Sequence, residues 1–212
     1  MINNILNENY LDYTIQENEK TVKEIMYEKL KMSKKLSKKL EIGRRILLNN
    51  KTTKLRKKAY KGDKLLIIFE DEEDEYESVN MPIDIIYEDM DLLVINKPPK
   101  IVVHPTKSHY DNTIANGVSF YFKQKGIKKK VRLVNRLDMN TSGIVVIAKN
   151  PYAHNRLSDQ MKENKVDKYY YAIVEGIINK SKGTINEPIA RLSEDIVREV
   201  HPLGKECITH YE

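Results

Sequence analysis

The spacing of apolar residues predicts two short helices near the N-terminus. The first helix carries apolar residues at intervals of three and four, Val22, Ile25, Met26 and Leu30. The second carries Leu36, Leu40 and Ile42. We expect Ser33 to cap the start of this second helix and Gly43 to end it. Turns are predicted at 49–50 and 61–64, and a strand at Leu65–Phe69.

The rest of the chain alternates short apolar runs with two amphipathic segments, which predicts an α+β fold. Apolar runs bounded by turn residues predict strands at Ile83–Tyr87, Leu92–Asn96, Ile144–Ala148 and Lys168–Gly176. Helices are predicted at Asn112–Phe122 and Pro151–Lys162, since a proline suits the first turn of a helix. We expect a mixed, largely antiparallel sheet flanked by helices and loops.

Charge divides the chain into three parts. Residues 1–69 hold 17 Lys and Arg against 8 Asp and Glu, whereas residues 70–77 read EDEEDEYE. A stretch so acidic and so poor in apolar groups predicts a flexible linker. We therefore expect a small basic domain at 11–70, an acidic linker at 71–82 and a second domain at 83–212. A basic patch on a small domain is the electrostatic footprint of a nucleic-acid binder, although a solvated lysine-rich surface gives the same pattern.

Composition narrows the classes of protein further. No stretch approaches the roughly 18 apolar residues of a membrane span, and the N-terminal residues lack the pattern of a secretory signal. Cys207 is the only cysteine, which excludes an intrachain disulfide. The five histidines lack metal-ligand spacing, and no glycine-rich phosphate loop occurs. These features predict a cytoplasmic protein with no metal and no membrane partner.

The strongest candidate for chemistry is Asp138, in a polar turn directly before the apolar run at 144–148. Arg136 lies two residues earlier, and Ser142-Gly143 lacks the GxSxG context of a hydrolase. A carboxylate can act as a nucleophile or as a base. The residues alone leave two interpretations open, because an aspartate that only forms the turn or caps a helix fits the same position.

Five motifs follow one another over residues 83–212. The first is IIYEDMDLLVINKPPKIVVHP at 85–105, and the second joins NRLD at 135–138 to TSG at 141–143 and AK at 148–149. The others are KYYYAIVEG at 168–176, GTINEPIAR at 183–191 and GKECITHY at 204–211. In this order and spacing they resemble the RluA-type family of RNA pseudouridine synthases. Residues 11–70 resemble the S4 RNA-binding domain, which often precedes the catalytic domain in that family.

The resemblance implies that the chain isomerises uridine to pseudouridine in structured RNA, ribosomal RNA before tRNA, without a cofactor or metal. It gives Asp138 the task of starting the cleavage of the C1′–N1 bond, in a nucleotide that must first leave its stack. It implies that Arg136 holds the flipped nucleotide and that Tyr170 stacks on the target base. The S4-like domain is expected to bind RNA through a patch of Lys34, Lys35, Lys38, Arg44 and Arg45. A monomer is the usual form of the family.

The chain departs from the family in a few places. Asn135 replaces the usual histidine before RLD, and Glu206-Cys207 varies the last motif. Family members continue into a further motif whose arginine pairs with the catalytic aspartate, and we expect that motif to be missing after Glu212. One alternative function is therefore an RNA-binding protein without catalysis. Another is a generic basic nucleic-acid binder that does not distinguish folded RNA from duplex DNA.

Overall fold

The computed structural model describes residues 10–16, 18, 20–70, 74–106, 110–192 and 197–212. These residues form two compact units, one up to Asp167 and one at Lys168–Glu212. In the described part of the chain, no helix is both long and apolar enough to cross a membrane.

The helices are α1 at Val22–Glu24, which continues as a π-helical turn at Ile25–Lys29, then α2 at Lys34–Ile42, α3 at Ile114–Gln124 and α4 at Pro151–Lys162. The strands of the first unit are β1 at Tyr10–Thr14, β2 at Lys20–Thr21, β3 at Ile46–Leu48, β4 at Lys51–Thr52, β5 at Lys58–Ala59, β6 at Lys64–Ile68, β7 at Asp84–Glu88, β8 at Leu92–Lys97, β9 at Arg132–Leu133 and β10 at Gly143–Ala148. Those of the second unit are β11 at Gly183–Asn186, β12 at Ile189–Ala190, β13 at Glu199–Val200 and β14 at Ile208–Tyr211. The strand pairings in these sheets are antiparallel, and the α+β class is confirmed.

The N-terminal part of the first unit packs α1 and α2 on a sheet of order β1-β6-β3-β4. The predicted helices are confirmed, because Thr21 and Glu24 form a capping box and the Ser33 hydroxyl accepts a hydrogen bond from the Leu36 N–H at 3.2 Å. Ile42 was wrongly placed on the apolar face of α2, since it is 73% exposed. Ile42 lies two residues after the buried Leu40, so its side chain points to roughly the opposite side of the helix.

The turn at 49–50 is confirmed between β3 and β4. Asn49 and Asn50 both have positive φ, 49° and 63°, and asparagine tolerates this left-handed conformation better than most residues. Strand β6 begins and ends one residue earlier than predicted. Strand β1 pairs with β6 along its whole length, and the sequence did not predict it.

A second sheet of order β7-β8-β10-β9 carries α3 on one face. Its core is built from alternate residues of the two central strands, Leu93 and Ile95 of β8 with Val145 and Ile147 of β10. All four predicted elements in this part of the chain, together with α4, are present within two or three residues of the expected ends. The alternation that buries one face of each central strand is the period-two pattern of a half-covered sheet.

An ion-pair network closes one end of this sheet. The Lys149 ammonium, only 7% exposed as a residue, donates to Glu88 Oε1 at 2.5 Å and to the Asp89 carbonyl at 2.6 Å. The Tyr121 hydroxyl of α3 donates to Glu88 Oε2 at 2.6 Å, which raises the pKa of Tyr121 to about 12. Burial raises the pKa of Glu88, but the hydrogen bonds from Lys149 and Tyr121 more than offset this, and the net shift is downward.

The segment at 74–81 differs from the flexible linker that was predicted there, while 71–73 lie outside the described residues. Asn116 of α3 donates to the Glu77 carbonyl at 2.9 Å and accepts at its own carbonyl from the Val79 N–H at 3.3 Å. A Cβ on Gly117 would lie 2.6 Å from Met81 Cγ, so the glycine permits this close approach. The prediction considered only the acidic residues of this segment. Tyr76 and Met81 are half-buried, and their packing keeps the segment against α3.

The second unit contains two hairpin-like pairs, β11 with β14 and β12 with β13. The strand predicted at Lys168–Gly176 was wrong, because residues 168–174 have no regular structure and their side chains are exposed. Alternating β-prone residues form a strand only when a neighbouring strand takes up their backbone hydrogen bonds. Within the described residues, no strand pairs with this segment.

Candidate active site

The turn that carries Asp138 lies beside the end of strand β8. Antiparallel pairing of β8 with β10 places Gly143, the first residue of β10, opposite Lys97, the last residue of β8. The Thr141 N–H donates to the Asp138 carbonyl at 3.1 Å and closes the turn. Gly143 has a φ of +124°, a conformation that disfavours other residues, so the chain can leave the turn and enter β10 at once.

Lys97 is the buried residue beneath this turn. Its side chain is 0% exposed, and its ammonium donates to the carbonyls of Pro98 at 2.8 Å, Ile101 at 2.8 Å and Met139 at 3.0 Å. Met139 directly follows Asp138, so one cation ties the turn to the end of β8 and to the loop after it. Lys97 was not among the residues predicted for the site, because its link to the aspartate turn depends on a carbonyl more than forty residues further along the chain.

Asn135 fixes the other side of the turn. Its side-chain amide donates to the Ile144 carbonyl at 2.9 Å, and its side-chain oxygen accepts from the Val146 N–H at 2.8 Å. The Val134 N–H also donates to the Val146 carbonyl at 2.9 Å. Asn135 thus continues the ladder of β9 and β10 by one further step with its side chain. Asn135, which replaces the histidine usual in the family, therefore has a structural role in holding the turn to β10.

The two predicted site residues of this turn both face solvent. Arg136 and Asp138 are exposed, whereas Leu137 between them is half-buried against the core of the second sheet. The turn therefore presents a carboxylate and a guanidinium to an incoming molecule.

The electrostatics of the turn centre on Lys97. Burial lowers the pKa of Lys97, and the Asp138 carboxylate counteracts part of that shift. Since the ammonium has three carbonyl partners, it lies beneath the turn as a fixed positive charge.

Tyr170, the third residue predicted to act on the target nucleotide, belongs to the second unit. It is 64% exposed in the irregular segment described above, beside the exposed Tyr169 and Tyr171. Its expected stacking on the target base stays a prediction.

The five residues of the predicted RNA patch lie on α2 and just after it, and their binding of RNA stays a prediction. Lys34, Lys35 and Lys38 lie exposed on the helix itself, and Lys38 pairs with Glu41 at 2.7 Å. Arg44 is exposed just beyond the helix, while the half-buried Arg45 pairs with Glu70 at 3.3 Å. Among the described residues, no group of three His, Cys, Asp or Glu side chains is arranged to hold a metal.

The antiparallel sheets, the helices packed on them and the lysine-anchored aspartate turn place the chain in the α+β class. A family model described as "RNA pseudouridylate synthase" matches residues 91–212, more than half of the chain. A second model, "RluD ribosomal pseudouridine synthase N-terminal domain", matches residues 10–65. The chain therefore belongs to the RNA pseudouridylate synthase family.

Two sequence relatives agree with this assignment. The chain is 35% identical over 169 residues to ribosomal large subunit pseudouridine synthase D of Haemophilus influenzae, a match that covers 78% of the chain and 52% of the relative. It is 36% identical over 195 residues to the RNA pseudouridine synthase YjbO of Bacillus subtilis, covering 90% of the chain and 69% of the relative. The human RNA pseudouridylate synthase domain containing 1 is 26% identical with a TM-score of 0.47, covering 61% of this chain and 49% of that one. The chain spans about half the length of the ribosomal relatives that it matches.

Proposed function

We propose that the chain isomerises specific uridines in structured RNA to pseudouridine, with Asp138 as the catalytic carboxylate. The observation that carries this proposal is the exposed Asp138 on a turn that the buried Lys97 holds in place, in a chain that belongs to the family. Preorganised geometry of this kind is what a catalytic group requires, since a small displacement is costly in rate.

The reaction needs one bond broken and one bond made at the same ribose carbon. Asp138 starts the cleavage of the C1′–N1 bond, as a nucleophile at C1′ or as a base. The released uracil turns, its C5 bonds to C1′, the C5 hydrogen leaves as a proton, and N1 gains one. Uridine and pseudouridine are isomers, so no oxidant or reductant is consumed. An exposed carboxylate suits this chemistry, because the target nucleotide must reach it from outside after leaving the stack.

Arg136 and Tyr170 are proposed to hold the extruded nucleotide. Arg136 is two residues from Asp138 and, like it, exposed, so its guanidinium is available to a phosphate or to the gap left in the stack. Tyr170 is proposed to stack on the target base, a contact that contributes about 1–3 kcal/mol in single-strand recognition. The exposure of its ring supports availability for such a contact.

The proposed substrate is ribosomal RNA rather than tRNA. The Haemophilus influenzae relative is named for the large ribosomal subunit, and the N-terminal part carries a surplus of cations that suits a phosphate backbone. The basic side chains on and after α2 are proposed to add affinity, while the domain around Asp138 adds the choice of uridine. The monomeric state and the cytoplasmic location stay predictions.

The test is tritium release from RNA labelled at uridine C5. Large-subunit ribosomal RNA and tRNA are offered separately to the 212-residue chain and to its Asp138→Asn variant. We expect release from the ribosomal RNA with the parent chain, and a loss of at least about 100-fold with the variant. Asp111→Asn is the matched control, because Asp111 is an exposed aspartate outside the turn.

Each outcome separates the alternatives. Release that persists in Asp138→Asn excludes the catalytic role of this residue. No release from the parent, with folded protein that still binds RNA, favours an RNA-binding protein without catalysis. Equal binding of folded RNA and duplex DNA without release favours the generic nucleic-acid binder.

A further inference from the structure

An open groove on the N-terminal part of the first unit lies apart from the Asp138 turn. Its volume is about 580 Å³, within the range of sites that hold a small ligand. It is lined by residues of α1, α2 and the loop that leads to β5. Five side chains of the groove matter for binding, namely Lys23, Tyr27, Lys38, Lys54 and Arg56. Only Lys38 among them belongs to the RNA patch expected from the sequence.

The groove combines a half-buried aromatic ring with several cations. Tyr27 packs partly against the core, and the Lys23 ammonium lies 5.8 Å from the centre of its ring. Lys54 and Arg56 approach from the loop and Lys38 from α2. Among the described residues, neither Lys54 nor Arg56 takes part in an ion pair within 4 Å.

The one carboxylate of the groove is already engaged. Glu41 accepts hydrogen bonds from the Lys38 ammonium at 2.7 Å and from the Leu55 N–H at 2.9 Å. These two bonds lower the pKa of Glu41, so it remains an anion that holds the loop in place. Leu55 is buried between the exposed Lys54 and Arg56, and burying it directs both cations outward.

We propose that this groove binds one unpaired nucleotide of the RNA, with its base on the Tyr27 ring and its flanking phosphates on Lys54 and Arg56. The proposal rests on RNA as the partner in the proposed function and adds a site to it. Single-strand binding sites pair a stacking ring with a cationic track in this manner. An acidic peptide would use the cations but would gain nothing from an aromatic platform.

Lys23 is part of the proposal, because its ammonium lies over the ring that the base would cover. A cation–π contact at an exposed site is weaker than the stacking of a base, so the base displaces the ammonium. Lys23 is exposed and flexible enough to swing toward a phosphate once displaced. We expect this rearrangement to add one phosphate contact.

The experiment measures binding by fluorescence anisotropy of labelled RNA between about 50 and 200 mM salt. The probes are a single-stranded oligouridine of about ten nucleotides and a duplex RNA of the same length. Tyr27→Leu should weaken single-strand binding about tenfold, leave duplex binding within about twofold, and keep the salt slope. Arg56→Gln should weaken binding and reduce the salt slope by about 0.7 on the single strand, the contribution of one phosphate.

Matched controls come from the turn before β6. Tyr60 is a tyrosine, 52% exposed, and Lys61 is an exposed cation, and neither lines the groove. Tyr60→Leu and Lys61→Gln should leave single-strand binding within about twofold of the parent chain. Tyr27→Phe keeps the ring and should bind like the parent, so it separates stacking from any effect of the leucine variant on folding.

The proposal is overturned if folded Tyr27→Leu binds the single strand as tightly as the parent chain does. It is also overturned if this variant loses the same affinity for the single strand and for the duplex. An unchanged salt slope for Arg56→Gln would contradict the proposed contact between Arg56 and a phosphate. If the groove proposal alone fails, tritium release by the parent chain persists and the proposed function stands. A parent chain that binds no RNA contradicts both.

Discussion

Replacing Lys97 with methionine removes the charge beneath the Asp138 turn and keeps most of the side-chain volume. The ammonium donates three hydrogen bonds, to the carbonyls of Pro98, Ile101 and Met139. Hydrogen bonds to charged groups contribute about 1.5–3 kcal/mol each, which sets an upper range near 4.5–9 kcal/mol. Methionine also avoids the cost of burying an ammonium, several kcal/mol, so we expect a net loss of about 3 kcal/mol.

Thermal unfolding and amide exchange measure this loss. For a unit of this size, about 3 kcal/mol lowers Tm by roughly 6–12 °C. The Thr141 amide, which donates to the Asp138 carbonyl, should exchange faster than in the parent chain, because its turn is no longer held through Met139. Pseudouridine formation should fall by about 100-fold if the turn moves by about 1 Å.

Lys100→Met is the matched control for this substitution. Lys100 is exposed three residues further along, so its replacement should change stability by less than about 0.5 kcal/mol. A Lys97→Met variant that melts within about 2 °C of the parent, with unchanged exchange at Thr141, would refute the inference that this lysine holds the turn.

Three further predictions concern the scaffold of the site. Gly117→Ala should destabilise the fold by about 1–3 kcal/mol in urea unfolding, despite the better helix propensity of alanine, because its Cβ would lie 2.6 Å from Met81 Cγ. Adding Met81→Ala should recover part of this loss. Asn135→Ala should cost about 1–3 kcal/mol by the same measurement, since two hydrogen bonds to β10 are lost. Glu88→Gln should destabilise at pH 7, and this difference should shrink as the pH falls below about 4.5, the usual value for a glutamate.

The sign of the last prediction follows from the lowered pKa of Glu88. A carboxyl whose pKa is lower in the folded state stabilises above its unfolded pKa, and the effect is lost as the pH falls through the folded pKa. A constant difference between the two proteins from pH 7 to about pH 3 would contradict it. For Gly117→Ala, failure of Met81→Ala to recover any stability would contradict the packing of 74–81 on α3. For Asn135→Ala, unchanged stability would contradict the bridging role of this side chain.

Local signals in the sequence predicted the elements that hold the site. The apolar run at 144–148, the Pro151 start of α4 and the Ser33 cap each depend on neighbouring residues in the chain, and the structure confirms all three. The family was also predictable, because five short motifs occur in the expected order over residues 85–211.

Features that depend on distant partners were missed or wrong. Strand β1 exists through its pairing with β6, more than fifty residues away, and the strand expected at 168–176 lacks such a partner among the described residues. Lys97 could be recognised as an anchor only once its three carbonyl partners were brought together. The acidic segment at 74–81 was judged by its charge, whereas its contacts with α3 depend on a glycine about forty residues later.

The most direct test of the central claim is the conversion of uridine itself. RNA from the large ribosomal subunit is incubated with the chain or with Asp138→Asn, digested to nucleosides, and separated to measure pseudouridine against uridine. We expect pseudouridine with the parent chain and with Asp111→Asn, and about 100-fold less or none with Asp138→Asn. Equal amounts of pseudouridine from the parent and from Asp138→Asn would contradict it.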